Sequence, residues 1–155
     1  MTIAGRYFTH AEMVRSSTAA RLEIDNAPSP AAEAELQALV DEVLDPLREL
    51  LGRPCRITSG YRGIVLNRAI GSRDTSQHIA GPGRGAAADL KADRYSAREV
   101  LALIHQHTEI PVDQAIGYHP SRGGHVHVSH AIGRDARREF RWAPADGGYH
   151  LWWPT

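Results

Sequence analysis

The chemistry of this chain is concentrated in two stretches, "SRDTSQHIAGPGRGAAADLKAD" at residues 72–93 and "HVHVSH" at residues 125–130. Side chains of a strand alternate between its faces. A strand over the second stretch therefore sets His125, His127 and Ser129 on one side and Val126 and Val128 on the other. Valines toward a core and histidines toward a cleft make a coherent design, although His-x-His alone also describes two half-exposed strand histidines. "AAADLKA" reads as another strand around 87–91, with Ala87, Asp89 and Lys91 on one face and Ala88 and Leu90 on the opposite one. Aspartate is disfavoured in strands, so Asp89 needs a partner, either a metal ion or an arginine. His78, in the glycine-rich loop 71–86, can swing toward the same point, and the small residues between them leave room for a ligand near the backbone. Two imidazole nitrogens and a carboxylate, with a fourth position open to water, are the ligand set of a catalytic zinc site. No HExxH helix is present, so such a site is assembled from strands and a loop.

These side chains need a frame. Thr9 and Glu12 have capping-box spacing and predict a short helix over about 10–16. Ser29 and Pro30 read as the cap and first residue of a long amphipathic helix. Along it Leu36, Leu39, Val40, Val43, Leu44, Leu47, Leu50 and Leu51 recur at helical spacing up to Gly52, with a kink expected at Pro46. A strand follows over Arg56–Ser59, then a turn at Gly60 and a short helix over 63–70. Ser96 and Glu99 form a second capping box, opening a helix to about His107. "DQAIGY" and "HVHVSH" are strands, and the segment from Gly133 onward is expected to be irregular. Helices and strands mix without strict alternation, which predicts an α+β fold with a small, mostly antiparallel sheet. One domain over 1–155 is expected, with 132–155 as its irregular tail.

Bulk composition narrows the function. Eighteen basic residues balance eighteen acidic ones, so no net field draws the chain to nucleic acid or an anionic membrane. The aliphatic-aromatic share of 42% and charged share of 23% are those of a globular protein, and no apolar run approaches a membrane span. Cys55 is the single cysteine, which excludes an intrachain disulfide, and "CRIT" places it as a small hydrophobe. "MTIAGRYFTH" has neither the basic nor the apolar region of a signal peptide, so cytoplasmic synthesis is expected. The closing "YHLWWPT" is expected to cover the protein's own core.

Five motifs occur in one order: "SGYR" at 59–62, "LN" at 66–67, "SQH" at 76–78, "GAAAD" at 85–89 and "HVHVS" at 125–129. Together with "FTHAEMVRSSTAARLEIDNAP" and "VLDPLRELLG", they resemble the D-alanyl-D-alanine carboxypeptidase family of zinc peptidases, especially its small bacterial and phage members. The wider group includes lysostaphin-type enzymes and the hedgehog signalling domain, and the likeness spans roughly residues 8–130. It implies a hedgehog/D-Ala-D-Ala peptidase-like fold, with flanking helices, in which His78, Asp89 and His127 bind Zn2+. His125 takes a catalytic place, Arg62 grips a substrate carboxylate, and Ser76, Gln77 and Tyr118 line the substrate site.

The implied activity is zinc-dependent hydrolysis of peptidoglycan stem peptides, as a D-Ala-D-Ala carboxypeptidase or an L-Ala-D-Glu-type endopeptidase (endolysin). A monomer is implied, reaching the cell wall after holin-type release or as part of a phage particle. The rival implication, which the hedgehog domain illustrates, is a non-catalytic zinc-stabilised domain that binds wall peptides or a protein. Two departures from the family pattern stand out. The gap between His78 and Asp89 is longer than the usual spacing, which places an extra loop at "GPGR". Gly117 and Tyr118 stand where relatives often carry a glutamate base, and His125 replaces their tryptophan, an exchange that either lets His125 serve as base or weakens catalysis.

Overall fold

In a computed structural model of the chain, residues 2–154 are described. The apolar stripe of the long helix becomes its spine: Leu36, Leu39, Val40, Val43 and Leu47 are fully buried. Helix α3 covers Pro30–Leu39, with Ser29 Oγ accepting from Ala32 N, and α4 covers Asp45–Leu51, closed by left-handed Gly52. Between them Val40–Leu44 widens into a π-helical turn in which Asp45 N donates to Val40 O. Pro46 explains the widening. It has no N–H, and in an α-helix its ring collides with the carbonyl four residues back, so the preceding turn loosens rather than bending sharply at Pro46.

Before the spine come two short helices, α1 over His10–Val14 and α2 over Ser17–Arg21. The Thr9–Glu12 capping box is formed, but Arg15 is extended and ends the first helix before residue 16. After the spine come β1 (Cys55–Ser59), α5 (Ile64–Ala69), β2 (Ala86–Ala92), α6 (Ala97–Gln106), β3 (Gln114–Tyr118), β4 (Val126–His130), β5 (Glu139–Ala143) and β6 (His150–Leu151). The six strands form one sheet in the order β1-β2-β4-β3-β5-β6, antiparallel at every pair except β3–β5, which is parallel. The fold is α+β, as expected, and no helix is long and apolar enough to cross a membrane.

Strand faces divide as the alternation requires. Ala88, Leu90, Val126 and Val128 are buried toward the helices, and His127 and Asp89 look the other way. Val100, Leu101 and Ile104 of α6 join that core. Gly117 of β3 lies where Leu101 and Trp142 close over the backbone, so a Cβ there collides with both.

The tail departs from expectation. Residues 139–143 and 150–151 are strands β5 and β6, so 132–155 is not irregular throughout. Phe140 and Trp142 are buried, with Glu139 and Arg141 alternating on the other face, a period of two masked by the surrounding charges. Trp152 packs on Phe140 and His105, whereas Trp153 is exposed. Arg98 lies over the Trp142 ring at 4.0 Å, so this residue ties α6, β3 and β5 together. Trp142→Ala should therefore destabilise the protein by about 3–5 kcal/mol, read as a lower denaturant midpoint at unchanged slope.

Candidate metal centre and cleft

Strands β2 and β4 are neighbours in a register that sets Asp89 opposite His127. The third side chain comes from outside the sheet. A short 3-10 turn, Gln77–Ile79, carries His78, and Ser76 Oγ accepts from His78 N at 3.3 Å to start it. Arg62 N donates to His78 O at 2.8 Å, which pins that turn against the segment leaving β1. The long interval to Asp89 folds back on itself: Gly81 and Gly85 pair, each donating its N–H to the other's carbonyl at 3.0 and 2.9 Å. Gly85 has φ +84° and its Cα lies against His130 O, a conformation and an approach that suit only glycine. The extra residues thus close as a tight turn, and His78 Nε2 lies 3.3 Å from Asp89 Oδ1.

Donor atoms of His78, Asp89 and His127 all lie within 4.8 Å of one another. His127 Nδ1 is 3.0 Å from the same Asp89 Oδ1, and His125 Nε2 is 3.9 Å from Asp89 Oδ2. His78 Nδ1 lies 2.8 Å from Gly60 O. A carbonyl only accepts, so Nδ1 carries a proton and Nε2 is the atom that faces Asp89. Burial lowers the His78 pKa against the opposing pull of Asp89. Burial raises the Asp89 carboxyl, but the charges and hydrogen bonds of the two histidines outweigh it and hold it well below the ordinary range. Two ring nitrogens thus converge on one carboxylate oxygen in a buried place, and the donor set (two imidazoles, one carboxylate) fits zinc.

The other expected residues gather around this point. A cleft of ≈ 490 Å³ is lined by Arg62, Ser76, Gln77 and Tyr118 together with His78, Asp89 and His127. Arg62 Nε is buried without a hydrogen-bond partner among the described residues, and burial lowers its pKa while Asp89 and Tyr118 oppose the shift. His125 is stacked on the Tyr118 ring, centroids 4.1 Å apart. Burial also lowers the His125 pKa, with Asp89 opposing, so its imidazole is neutral at pH 7. Tyr118 Oη lies 3.3 Å from Tyr149 Oη, and burial followed by this contact raises its pKa, keeping the phenol protonated. The neighbouring His119 caps the turn Pro120–Arg122, where its Nδ1 accepts from Ser121 N and lies 2.8 Å from Ser121 Oγ. Ser129 is buried and accepts from Gln114 N, a structural use.

Residues that sequence reasoning missed complete the cleft. Arg84, Gln114, Arg134 and Arg137 line it. Below them Asp113, 1% exposed, accepts from Arg134 Nη2 at 2.8 Å, Arg137 Nε and Nη2 at 2.9 Å each, and Gln77 Nε2 at 3.0 Å. Arg134, Arg137 and Tyr149 all belong to the tail read as irregular. The alternation "EFRW" was the signal that this segment returns to the sheet and brings its neighbours to the site.

A sheet that gathers two imidazoles and a carboxylate at one point beside an open cleft is the scaffold of a zinc-dependent hydrolase. The chain belongs to the Peptidase M15 family, whose family model matches residues 6–129, and M15 enzymes are zinc-dependent peptidases of the D-Ala-D-Ala carboxypeptidase type. No curated protein matches the chain.

Burial raises the Asp113 carboxyl, but hydrogen bonds from Arg137 and Gln77 more than offset this and set its pKa below the ordinary value. Its folded pKa being the lower one, Asp113 contributes stability fully above the unfolded value of about 3.9 and loses it as pH falls through the folded value. Asp113→Asn should cost about 1–3 kcal/mol at pH 7. Urea unfolding of both proteins at pH 7 and pH 3 should show the difference shrinking at the lower pH.

Proposed function

We propose that the protein is a zinc peptidase that hydrolyses peptidoglycan stem peptides, with His78, Asp89 and His127 as the zinc ligands. The observation that carries this reading is that donor atoms of His78, Asp89 and His127 lie within 4.8 Å of one another in the wall of a cleft with room for a peptide. Zinc held there supplies Lewis acidity toward a peptide carbonyl and toward water.

The chain's own groups supply the rest. His125 is neutral and close to Asp89 Oδ2, so Nε2 accepts a proton from the attacking water and returns it to the leaving amine. Neither a glutamate nor His125 is among the described residues that line the cleft, and His125 approaches the centre behind Tyr118 through Asp89 Oδ2. Stacking on Tyr118 fixes the plane of the imidazole. Tyr118 Oη, held protonated, donates to the carbonyl oxygen as charge develops on it. Arg62, with an unpaired buried Nε, takes a substrate carboxylate through parallel hydrogen bonds, and Ser76 lies beside it in the same wall. The protein acts as a monomer on the cell wall, after release from the cell or as part of a phage particle.

His127→Ala and Asp89→Asn should each lose both zinc, measured by metal analysis after dialysis, and hydrolysis. His125→Ala should retain zinc and lose roughly two to four orders of magnitude in kcat. Full hydrolysis by the His127 variant would remove it from the ligand set, and unaltered turnover by the His125 variant would remove it as the base.

Mass spectrometry of peptidoglycan fragments incubated with zinc-loaded protein defines the bond. Loss of terminal D-Ala marks a carboxypeptidase, and release of whole stem peptides marks an endopeptidase. Unchanged fragments, with or without chelator, would favour a wall-binding module and overturn the hydrolytic reading.

A further inference from the structure

The cleft has a second cationic end that the reading above leaves unused. Arg84 stands in the closed turn ahead of β2, and Arg134 and Arg137 stand in the segment between β4 and β5, beyond the stretch matched by the family. The two tail arginines are held rather than loose. Asp113 is buried to 1% exposure and binds both tail guanidiniums, and Arg137 N also donates to Asp113 Oδ1 at 3.3 Å. Asp113 is the carboxylate hydrogen-bonded to both guanidiniums, and Glu139, which Arg137 also faces, is paired with Arg141, so positive charge is left over before Arg84 is added.

Each guanidinium has five N–H donors. Asp113 engages one on Arg134 and two on Arg137, and both side chains remain 38% and 48% exposed while lining the cleft. Gln77 Nε2 donates to Asp113 Oδ2 at 3.0 Å and to Arg84 O at 2.8 Å, which joins all three arginines to the turn that carries His78. A buried anion thus acts as an anchor, and the remaining donors of its partners are ordered before any ligand arrives. Arg62 belongs to a different neighbourhood, beside Asp89 and Tyr118, whereas Arg137 faces Asp113 and Glu139. Two separate sets of cations in one cleft suit a ligand with two separate anions.

We propose that Arg84, Arg134 and Arg137 form a second carboxylate subsite, which makes the preferred substrate a peptide carrying a free carboxylate in addition to the one taken by Arg62. Gln77 and Asp113 are positioning residues for this subsite. The inference rests on the peptidase reading and narrows its substrate class.

The test uses the zinc-loaded full chain and two stem pentapeptides that differ only at the α-carboxyl of D-glutamate, free in one and a carboxamide in the other. The free acid should show a KM lower by about tenfold with kcat changed little, since one charge-assisted pair is gained in binding. Arg84→Gln and Arg137→Gln should each bring the KM ratio of the two peptides close to one. Arg84 makes no side-chain hydrogen bond to Asp113, so its variant reports on the subsite without disturbing that anchor. Equal KM values in the unaltered protein, or a preference surviving in both variants, would overturn the subsite. If neither peptide is cut, the hydrolytic reading fails, and calorimetric binding of the same peptides decides the subsite. Tighter binding of the free acid, lost in Arg137→Gln, keeps it, and equal affinities overturn it.

Discussion

Asp89 Oδ1 lies 3.3 Å from His78 Nε2 and 3.0 Å from His127 Nδ1, so two buried imidazoles and a carboxylate are held at one point. Burying such a group is costly unless each member is held in place by its own partners. Much of the local architecture serves that holding. Gly60 O fixes the tautomer of His78, Arg62 N fixes its backbone, and the β2–β4 register delivers His127 to the same oxygen. The bulge near Thr58, where β1 slips against β2, lies beside Asp89, and Thr58 Oγ1 donates to Asp89 O.

Two buried carboxylates, one in the cleft wall and one beneath it, keep contrasting company. Asp89 is ringed by imidazoles, whose ring nitrogens can join it in binding a metal. Asp113 is ringed by guanidiniums, which stay charged, so its needs are met by the protein itself. One carboxylate is therefore available for chemistry and the other for organisation. Gln77 and His78, adjacent in sequence, connect the two, since Gln77 bonds to Asp113 and His78 faces Asp89.

Periodicity and capping made most of the frame legible. The Leu36–Leu51 stripe, both capping boxes, and the alternation in "AAADLKA" and "HVHVSH" are local patterns, and each became the expected element. Arg62, Ser76 and Gln77 were found through an ordered set of short motifs, Tyr118 through its place where relatives often carry a glutamate, and all four line one cavity. Where local pattern competed with long-range pairing, sequence reading fell short. "EFRWA" is short and half charged, and its strand identity comes from lying parallel to β3, a partner more than twenty residues earlier in the chain. Arg134, Arg137 and Tyr149 reach the site only through that pairing, so their part could not be read without it. The Pro46 effect was anticipated in kind but displaced by a turn, because strain at a proline is relieved at the residues before it.

The parallel pairing of β3 with β5 also divides the cleft by order of synthesis. His78, Asp89 and His127 meet through the 3-10 turn and the β2–β4 pair, all of which precede residue 131. Arg137 and Tyr149 take their places only once β5 and β6 have joined the sheet from the last stretch of chain. A chain halted before β5 would carry His78, Asp89 and His127 together with Arg62, Arg84 and Tyr118, and would lack the cleft wall that Arg137 supplies and the Tyr149 contact to Tyr118.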